Sequence, residues 1–516
     1  MRLLRFHCLF TVVLVVVAGF MCAMPDAGGE EPEPPAGLES DAEQGDEGGP
    51  SLPSGLDDDE EEDEKDGEPG LPPGLDGEDE DEGGAEPGLP AGLEDDAQRE
   101  KPPAEESDGP SLRERLPVDV SGFWEARYGT RLQSDPHQPD TILGESRLQL
   151  DLQRYVGNVR LKLVSDFLYD PIAGRESIDL EQGRGWLDLR QANIAFSPVS
   201  FADVRMGRQI LTWGTGNLLF LNDMFPKDWN SFFIGRDLEY LKAPSDAVKV
   251  SLYGDPVNVD LVYVPAFDGD RFVDGRRLSY WNPQLQRRAG RGAIVRPESR
   301  QSWGRDDEWA VRMYRNIHGY ELAAYGYHGY WKSPSGYDPV ARQATFPRLS
   351  TFGASIRGNV LGGIGNLEVA YYDSREDRGG DDPFVPNSQL RMLAGYEWEM
   401  ARNLTVGLQY YLELMRDYDN YRDSLPPGAR HRDEDRHVVT LDITRLMMNQ
   451  NLELSLFTFY SPSDNDMYLR PSAEYQIDDH WSVEAGGNIL AGEHRHTFFN
   501  QFRNNTSVYA AVRYGF

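Results

Sequence analysis

From Val118 to Phe516 the chain alternates apolar and polar residues in segments of about ten, the period of a strand whose two faces meet different surroundings. Leu148, Leu150 and Leu152 share one face; Arg147, Gln149, Asp151 and Gln153 share the other. Beyond a tight turn at Tyr155–Asn158, Val159, Leu161, Leu163 and Phe167 oppose Arg160, Lys162 and Asp166. The last segment sets Val508, Ala510, Val512, Tyr514 and Phe516 against Ser507, Tyr509, Ala511, Arg513 and Gly515. A half-buried soluble strand alternates in the same way, so no single hairpin decides the fold.

The connections say more. Short turns are expected near 155–158, 197–200, 254–256, 316–319, 359–366, 400–403, 446–450 and 477–480. Longer polar or glycine-rich loops fall near 133–145, 169–185, 211–245, 266–306, 332–349, 375–387, 416–435, 461–467 and 491–505. Eight turns and nine loops join eighteen strands, with both ends of the run on the short-turn side. Segregated loop lengths and an even strand number are what a bacterial transmembrane barrel requires. The expected fold is all-β, a single-chain antiparallel transmembrane β-barrel of about 18 strands over 118–516. Trp124, Tyr128, Phe167, Tyr169, Tyr325, Tyr327, Trp331, Tyr396, Trp398, Tyr410, Tyr460, Tyr475 and Trp481 are the expected girdle at the two membrane interfaces. The closing run, with its terminal Phe516, resembles the C-terminal signature of outer-membrane β-barrels.

Charge sharpens the domain picture. The chain's formal net charge is -36, but residues 26–108 hold 33 Asp and Glu against 3 Lys and Arg. The acidity lives in an N-terminal region, 24–117, too poor in aromatic and β-branched residues to bury a core and therefore expected to be disordered. Four copies of Pro-x-Gly-Leu-acid recur there, at Pro35–Glu39, Pro53–Asp57, Pro72–Asp76 and Pro90–Glu94. They read as a solvated linker, as leucine anchors for a periplasmic partner, or as weak cation buffers. Ahead of them, Arg2, Arg5 and the apolar run Leu9–Phe20 read as a signal peptide over 1–23, holding both cysteines, Cys8 and Cys22. The expected address is the outer membrane of a Gram-negative-type cell, with the tail in the periplasm. No compact basic module suggests nucleic acid.

By alternation, the charged side chains expected in a water-filled lumen include Arg160, Arg190, Arg205, Arg312, Arg391 and Glu397. The loop after Gly207-Arg-Gln-Ile-Leu-Thr-Trp-Gly-Thr-Gly216 is too apolar for a surface excursion, carrying Trp213, Phe220, Phe225, Trp229, Phe232 and Phe233. It is expected to fold inward, presenting Arg208, Gln209, Lys227, Asp228, Arg236 and Asp237 at a constriction. A further loop, 267–305, tilts basic through Arg271, Arg276, Arg277, Arg287, Arg288, Arg291, Arg296, Arg300 and Arg305. It would draw anionic solutes, bind lipopolysaccharide phosphates, or stand as solvated surface.

The Gly207–Gly216 segment, running on through Asn222-Asp-Met-Phe-Pro-Lys-Asp228, resembles the alginate-export-like outer-membrane porins. The resemblance implies a solute channel with this loop narrowing the lumen, embedded in lipid and lipopolysaccharide. Neither cofactor nor enzymatic activity is expected: no Gly-x-Ser-x-Gly elbow, phosphate loop or His-Glu-x-x-His occurs, and Glu493, His494 and His496 are a poor metal set. Two other readings stand beside the channel. One is a barrel that scaffolds a periplasmic partner through its acidic region; the other is a barrel-embedded hydrolase with Ser, His and an acid on its wall.

Overall fold

The computed structural model describes residues 118–172 and 177–516; the expected signal peptide and acidic region lie outside the described residues. The chain opens with β1 (Asp119–Arg131), β2 (Thr141–Val156), β3 (Val159–Tyr169), β4 (Leu187–Val199), β5 (Ala202–Ile210), β6 (Pro244–Leu252) and β7 (Asn258–Val264). Next come β8 (Tyr280–Asn282), β9 (Arg287–Ala289), β10 (Glu308–Ile317), β11 (Tyr320–Tyr330), β12 (Gly336–Asp338), β13 (Gln343–Thr345), β14 (Arg348–Val360) and β15 (Gly363–Ser374). The rest are β16 (Gln389–Ala401), β17 (Leu404–Met415), β18 (Asp435–Met447), β19 (Leu452–Ser461), β20 (Asp466–Gln476), β21 (Trp481–Gly492) and β22 (Ser507–Gly515). The hairpins β8–β9 and β12–β13 ride in loops; the other strands form one 18-stranded sheet.

Each barrel strand pairs antiparallel with its neighbour in sequence, and β1 closes the ring against β22 from Phe123↔Gly515 to Arg131↔Ser507. Closure leaves no edge strand, so each wall strand is paired on both sides, as a bilayer demands. The terminal Phe516 joins the seam: its N–H donates to the Gly122 carbonyl at 3.0 Å, and the Gly122 N–H returns a bond to the Phe516 carbonyl at 3.1 Å. Eight short turns lie at one end of the barrel and nine connections at the other; eight of the nine are longer, and the expected loop at 461–467 is only the four-residue turn 462–465. The turns fall where the alternation predicts them.

Register assigns the faces. In the row Trp309↔His328↔Ser350, exposed Trp309 and, two residues beyond Ser350, exposed Phe352 mark the outer wall. Tyr128, Tyr169, Phe167, Tyr410, Tyr460, Tyr475 and Trp481 are exposed there too. Tyr325, Tyr327 and Trp331 correct the expected girdle: all three are buried inside. β11 carries one polar residue on each face, Glu321 and His328, among apolar or small ones, so its alternation does not say which side meets lipid. The inner hydroxyls settle it, Tyr325 meeting Ser355 Oγ at 2.9 Å and Tyr327 donating to the Glu308 carboxylate.

Candidate functional site

The segment from Leu211 to Ala243 leaves the long-loop end of β5 and folds into the barrel. Its apolar residues are why: Leu211, Trp213, Leu218, Leu221, Met224, Phe225, Phe232, Phe233 and Ile234 are buried in the main hydrophobic cluster. Trp213 packs edge-on against Phe225 with ring centroids 5.0 Å apart and tilts against Tyr325 at 6.2 Å.

The first limb crosses to β15–β18. Backbone N–H groups of Thr215 and Gly216 donate to the Glu368 carboxylate, which also accepts from Asn222 Nδ2 at 3.1 Å. Asn217 donates from its side chain to Asp442 at 2.7 Å and from its backbone to Gln409 Oε1 at 2.8 Å. Tyr372 donates its hydroxyl to the Leu221 carbonyl at 2.6 Å. A carboxylate facing two consecutive main-chain N–H groups holds the chain as firmly as a helix cap does.

The second limb returns along the opposite wall. Asp228 caps the short helix Trp229–Ile234 by accepting from the Ser231 N–H at 2.8 Å, and Arg271 lies 3.4 Å from its other oxygen. Phe232 and Phe233 wedge against Tyr468 of β20, and Phe233 meets Phe502 at 4.8 Å. Gly235 ends the helix at φ 88°, where a Cβ would strike the Tyr509 ring. Its carbonyl accepts from Arg127 of β1 at 2.9 Å. Arg236 pairs with Glu145 of β2, and Asp237 lies 3.2 Å from Arg513 of β22. Tyr240 closes the circuit beneath two cations, Arg147 at 3.9 Å and Arg190 at 4.6 Å from its ring centroid.

Two spaces flank this inserted loop. Towards the long loops lies a vestibule of about 1060 Å³, floored by Phe220, Trp229 and Phe498 and walled by Arg391, Glu413 and Arg436. Towards the short turns is a cleft of about 40 Å³ bounded by Asn217, Arg357, Glu397, Gln409 and Asp442.

The sequence-expected residues divide between these surroundings. Arg391 stacks on Tyr372, 3.9 Å from the centroid, with Glu413 at 3.5 Å, in the vestibule wall. Arg312 pairs with Glu321 at 2.6 Å and lies over Tyr314. Arg160 and Arg205 sit in one row, Arg160↔Ala195↔Arg205↔Lys249, on the lumen face near the short turns. Arg190 is the extra residue of a bulge, since Val164↔Gln191 is followed by Ser165↔Leu189. Lys227 is buried, tied to Asp223 at 3.0 Å and lying over Phe220. Gln209 is wholly buried and donates to the Ala247 carbonyl at 2.9 Å.

Arg208 requires a correction. The row Ile194↔Met206↔Val248 is on the outer wall, where Ile194 and Met206 are exposed; two residues along the same face lie Ala192, Arg208 and Asp246. Arg208 is therefore turned away from the lumen, bonded to the Leu180 and Leu189 carbonyls, Glu181 and Asp246. Gly207, at φ 111°, lies on the lumen side of that strand, where a Cβ would collide with the Ala192 carbonyl. Sequence reasoning missed Asn217, Gln409, Glu145 and Tyr240, which do much of the anchoring. Gln409 and Tyr240 carry no charge run or motif, and Glu145 sits where a loop was expected.

One outward pair resembles a hydrolytic dyad: His328 Nδ1 lies 3.0 Å from Ser350 Oγ. Its other nitrogen, Nε2, is 2.9 Å from Arg375. A guanidinium only donates, so Nε2 must accept and Nδ1 carries the proton. In that tautomer the imidazole cannot take the serine's proton, and the pair lacks the carboxylate that would reverse it.

No family model matches the chain, and no curated protein matches it. The resemblance to alginate-export-like porins therefore stays with the Gly207–Asp228 segment. Among solved structures, the chain is similar to OccAB1 of Acinetobacter baumannii, with TM-score 0.46, 9% identity, and coverage of 77% of this chain and 95% of that one. OccAB3 of the same organism gives TM-score 0.46, 11% identity, and coverage of 77% and 99%. The outer membrane channel DcaP of A. baumannii gives TM-score 0.37, 12% identity, and coverage of 77% and 97%.

Proposed function

We propose that the chain is an outer-membrane channel through which small solutes, anionic ones preferred, diffuse past the inserted 211–243 loop. The observation that carries this reading is the anchoring of that loop to both walls. Asn217 is held by Asp442 of β18, and Tyr240 by Arg147 of β2. A loop merely covering a barrel needs no bonds to opposite inner walls, whereas one that sets an aperture does. The arginine-rich 265–307 loop at the long-loop mouth supports a preference for anions. In this reading the short turns and the acidic N-terminal region face the periplasm.

Single-channel recording of the full chain in planar bilayers tests it. Steady conductance that increases when Asn217 and Tyr240 are both replaced by alanine is expected. A silent bilayer, with properly folded protein present, would move the weight to a barrel that holds a periplasmic partner through its acidic region.

A further inference from the structure

The arginines of the 265–307 loop are not equivalent. Arg271 is consumed by Asp188 and Asp228, Arg276 by Asp274, Arg277 by Asp170 and Arg300 by Glu298. The hairpin β8–β9 and its exit behave differently. Arg288 donates to the carbonyls of Asn500 at 2.6 Å and Gln501 at 3.3 Å, and to Asn504 Oδ1 at 3.0 Å. Arg291 donates to the carbonyls of Arg276 and Ile172, and Arg287 to that of Arg288. Carbonyls orient a guanidinium without cancelling its charge.

Docking on the 3-10 helix Asn500–Asn505 also brings in Arg495 and Arg503 from a loop two hundred residues away. Among the described residues, none of Arg287, Arg288, Arg291, Arg495 and Arg503 makes an ion pair. Burial, and then the nearness of Arg503 and Arg495, hold Arg288 below the ordinary arginine value. Arg287, Arg291, Arg495 and Arg503 are exposed. These five cations thus lie on two docked loops with no ion pair of their own, and the carboxylate that acts on Arg288 is the buried Asp135.

That surface lies just beyond an interfacial girdle. Arg291 reaches the Ile172 carbonyl, three residues past Tyr169, which is 71% exposed on the outer wall; Tyr128 and Trp186 are exposed nearby in the chain, on β1 and before β4. Tyr and Trp mark headgroup level, so the cations stand at the level of lipid phosphates. We propose that Arg287, Arg288, Arg291, Arg495 and Arg503 form a docking surface for the phosphate groups of an outer-leaflet phosphoglycolipid. Arginine suits the role because its planar fork binds phosphate bidentately and sheds water cheaply. The proposal rests on the outer-membrane reading above.

The test titrates the purified full chain in detergent with the diphosphorylated glycolipid anchor of lipopolysaccharide, its dephosphorylated form, inorganic phosphate and dextran sulfate. Native mass spectrometry reads bound lipid, and displacement of that lipid reads the two soluble anions. At least tenfold weaker binding is expected for the dephosphorylated lipid and for R287Q/R291Q/R503Q, with R445Q, a charge loss at the short-turn end, binding like the parent. R503Q alone, at an exposed position, gives a partial loss and serves if the triple variant does not fold. Equal binding of both lipid forms, or of parent and variants, overturns the proposal. Displacement by millimolar phosphate or by dextran sulfate at equal charge overturns the lipid as occupant. Conductance of the same preparations is a separate readout: a conducting chain without glycolipid affinity sinks only this surface, and a lipid-binding but silent chain sinks only the channel.

Discussion

Arg147 of β2 places its guanidinium 3.9 Å from the centroid of the Tyr240 ring, joining the barrel wall to the returning limb of the inserted loop. The same guanidinium lies between Glu145, at 2.5 Å, and Asp166. One side chain thus neutralises two buried carboxylates and seats an aromatic ring. Replacing it leaves Asp166 with the Gln149 amide and Glu145 with Arg236 alone, at a cost of about 3–5 kcal/mol for a broken buried pair. Arg147→Gln is expected to lower the urea midpoint of the lipid-reconstituted barrel accordingly. Tyr240→Leu, which keeps the carboxylates paired, should cost only about 0.5–2 kcal/mol and raise conductance. Equal losses in the two variants would refute this division of roles.

The opposite limb hangs on hydrogen bonds to the Glu368 and Asp442 carboxylates and to Gln409, with no ion pair in the set. Asn217→Ala removes the side-chain bond to Asp442 and leaves both main-chain bonds to Gln409 in place, so Asp442 loses a donor. A loss of about 1–3 kcal/mol is expected. The channel record should show more current fluctuation at unchanged mean stability of the barrel ladder, followed by hydrogen exchange of the strand amides. Protection lost evenly around the barrel would mean that Asn217 supports the wall and not the loop.

Arg208 and Arg391 separate wall from lumen. Arg208 lies on the outer face, so Arg208→Gln is expected to cost about 1–3 kcal/mol through its unsatisfied carbonyl and carboxylate partners while ion selectivity stays fixed. Arg391 faces the vestibule beside Tyr372 and Glu413; Arg391→Gln should shift reversal potential towards cation preference. A selectivity change in the Arg208 variant alone would contradict the register assignment.

The returning limb also carries a pH-sensitive group. Desolvation by the barrel around it, and then the neighbouring Asp237 carboxylate, push Glu239 up to about 7 against the pull of Arg513, although its side chain is 46% exposed. Below its ordinary value of 4.5 both folded and unfolded chains hold the proton. Between 4.5 and about 7 only the folded chain holds it, so anchoring weakens as pH rises through that window and is level above it. Conductance is expected to be lower at pH 5 than at pH 8, and Glu239→Gln to flatten the difference. A pH response that survives Glu239→Gln assigns it elsewhere.

The wall was legible in the chain because a barrel strand meets lipid on one side and water on the other. That contrast writes itself into every second residue, as in Leu148–Leu152 against Arg147–Gln153. Turn and loop lengths then fixed the strand number, and the apolar content of 211–243 indicated a loop with something to bury. Alternation failed where the two faces have similar chemistry, as at Tyr325 and Tyr327 of β11. It failed again at Arg208, where the phase of β5 depends on its pairing and on Gly207 at positive φ.

By itself the sequence determined the strands, their number, the segregation of turns from loops, and the identity of the loop that enters the barrel, since all of these follow from local patterning. Only the tertiary structure decided which wall each limb of that loop would grip. It also decided that Arg208 faces outward, and that Arg287, Arg288 and Arg291 would meet Arg495 and Arg503. Those contacts join residues hundreds of positions apart, and local periodicity holds no information about partners that barrel closure alone brings together.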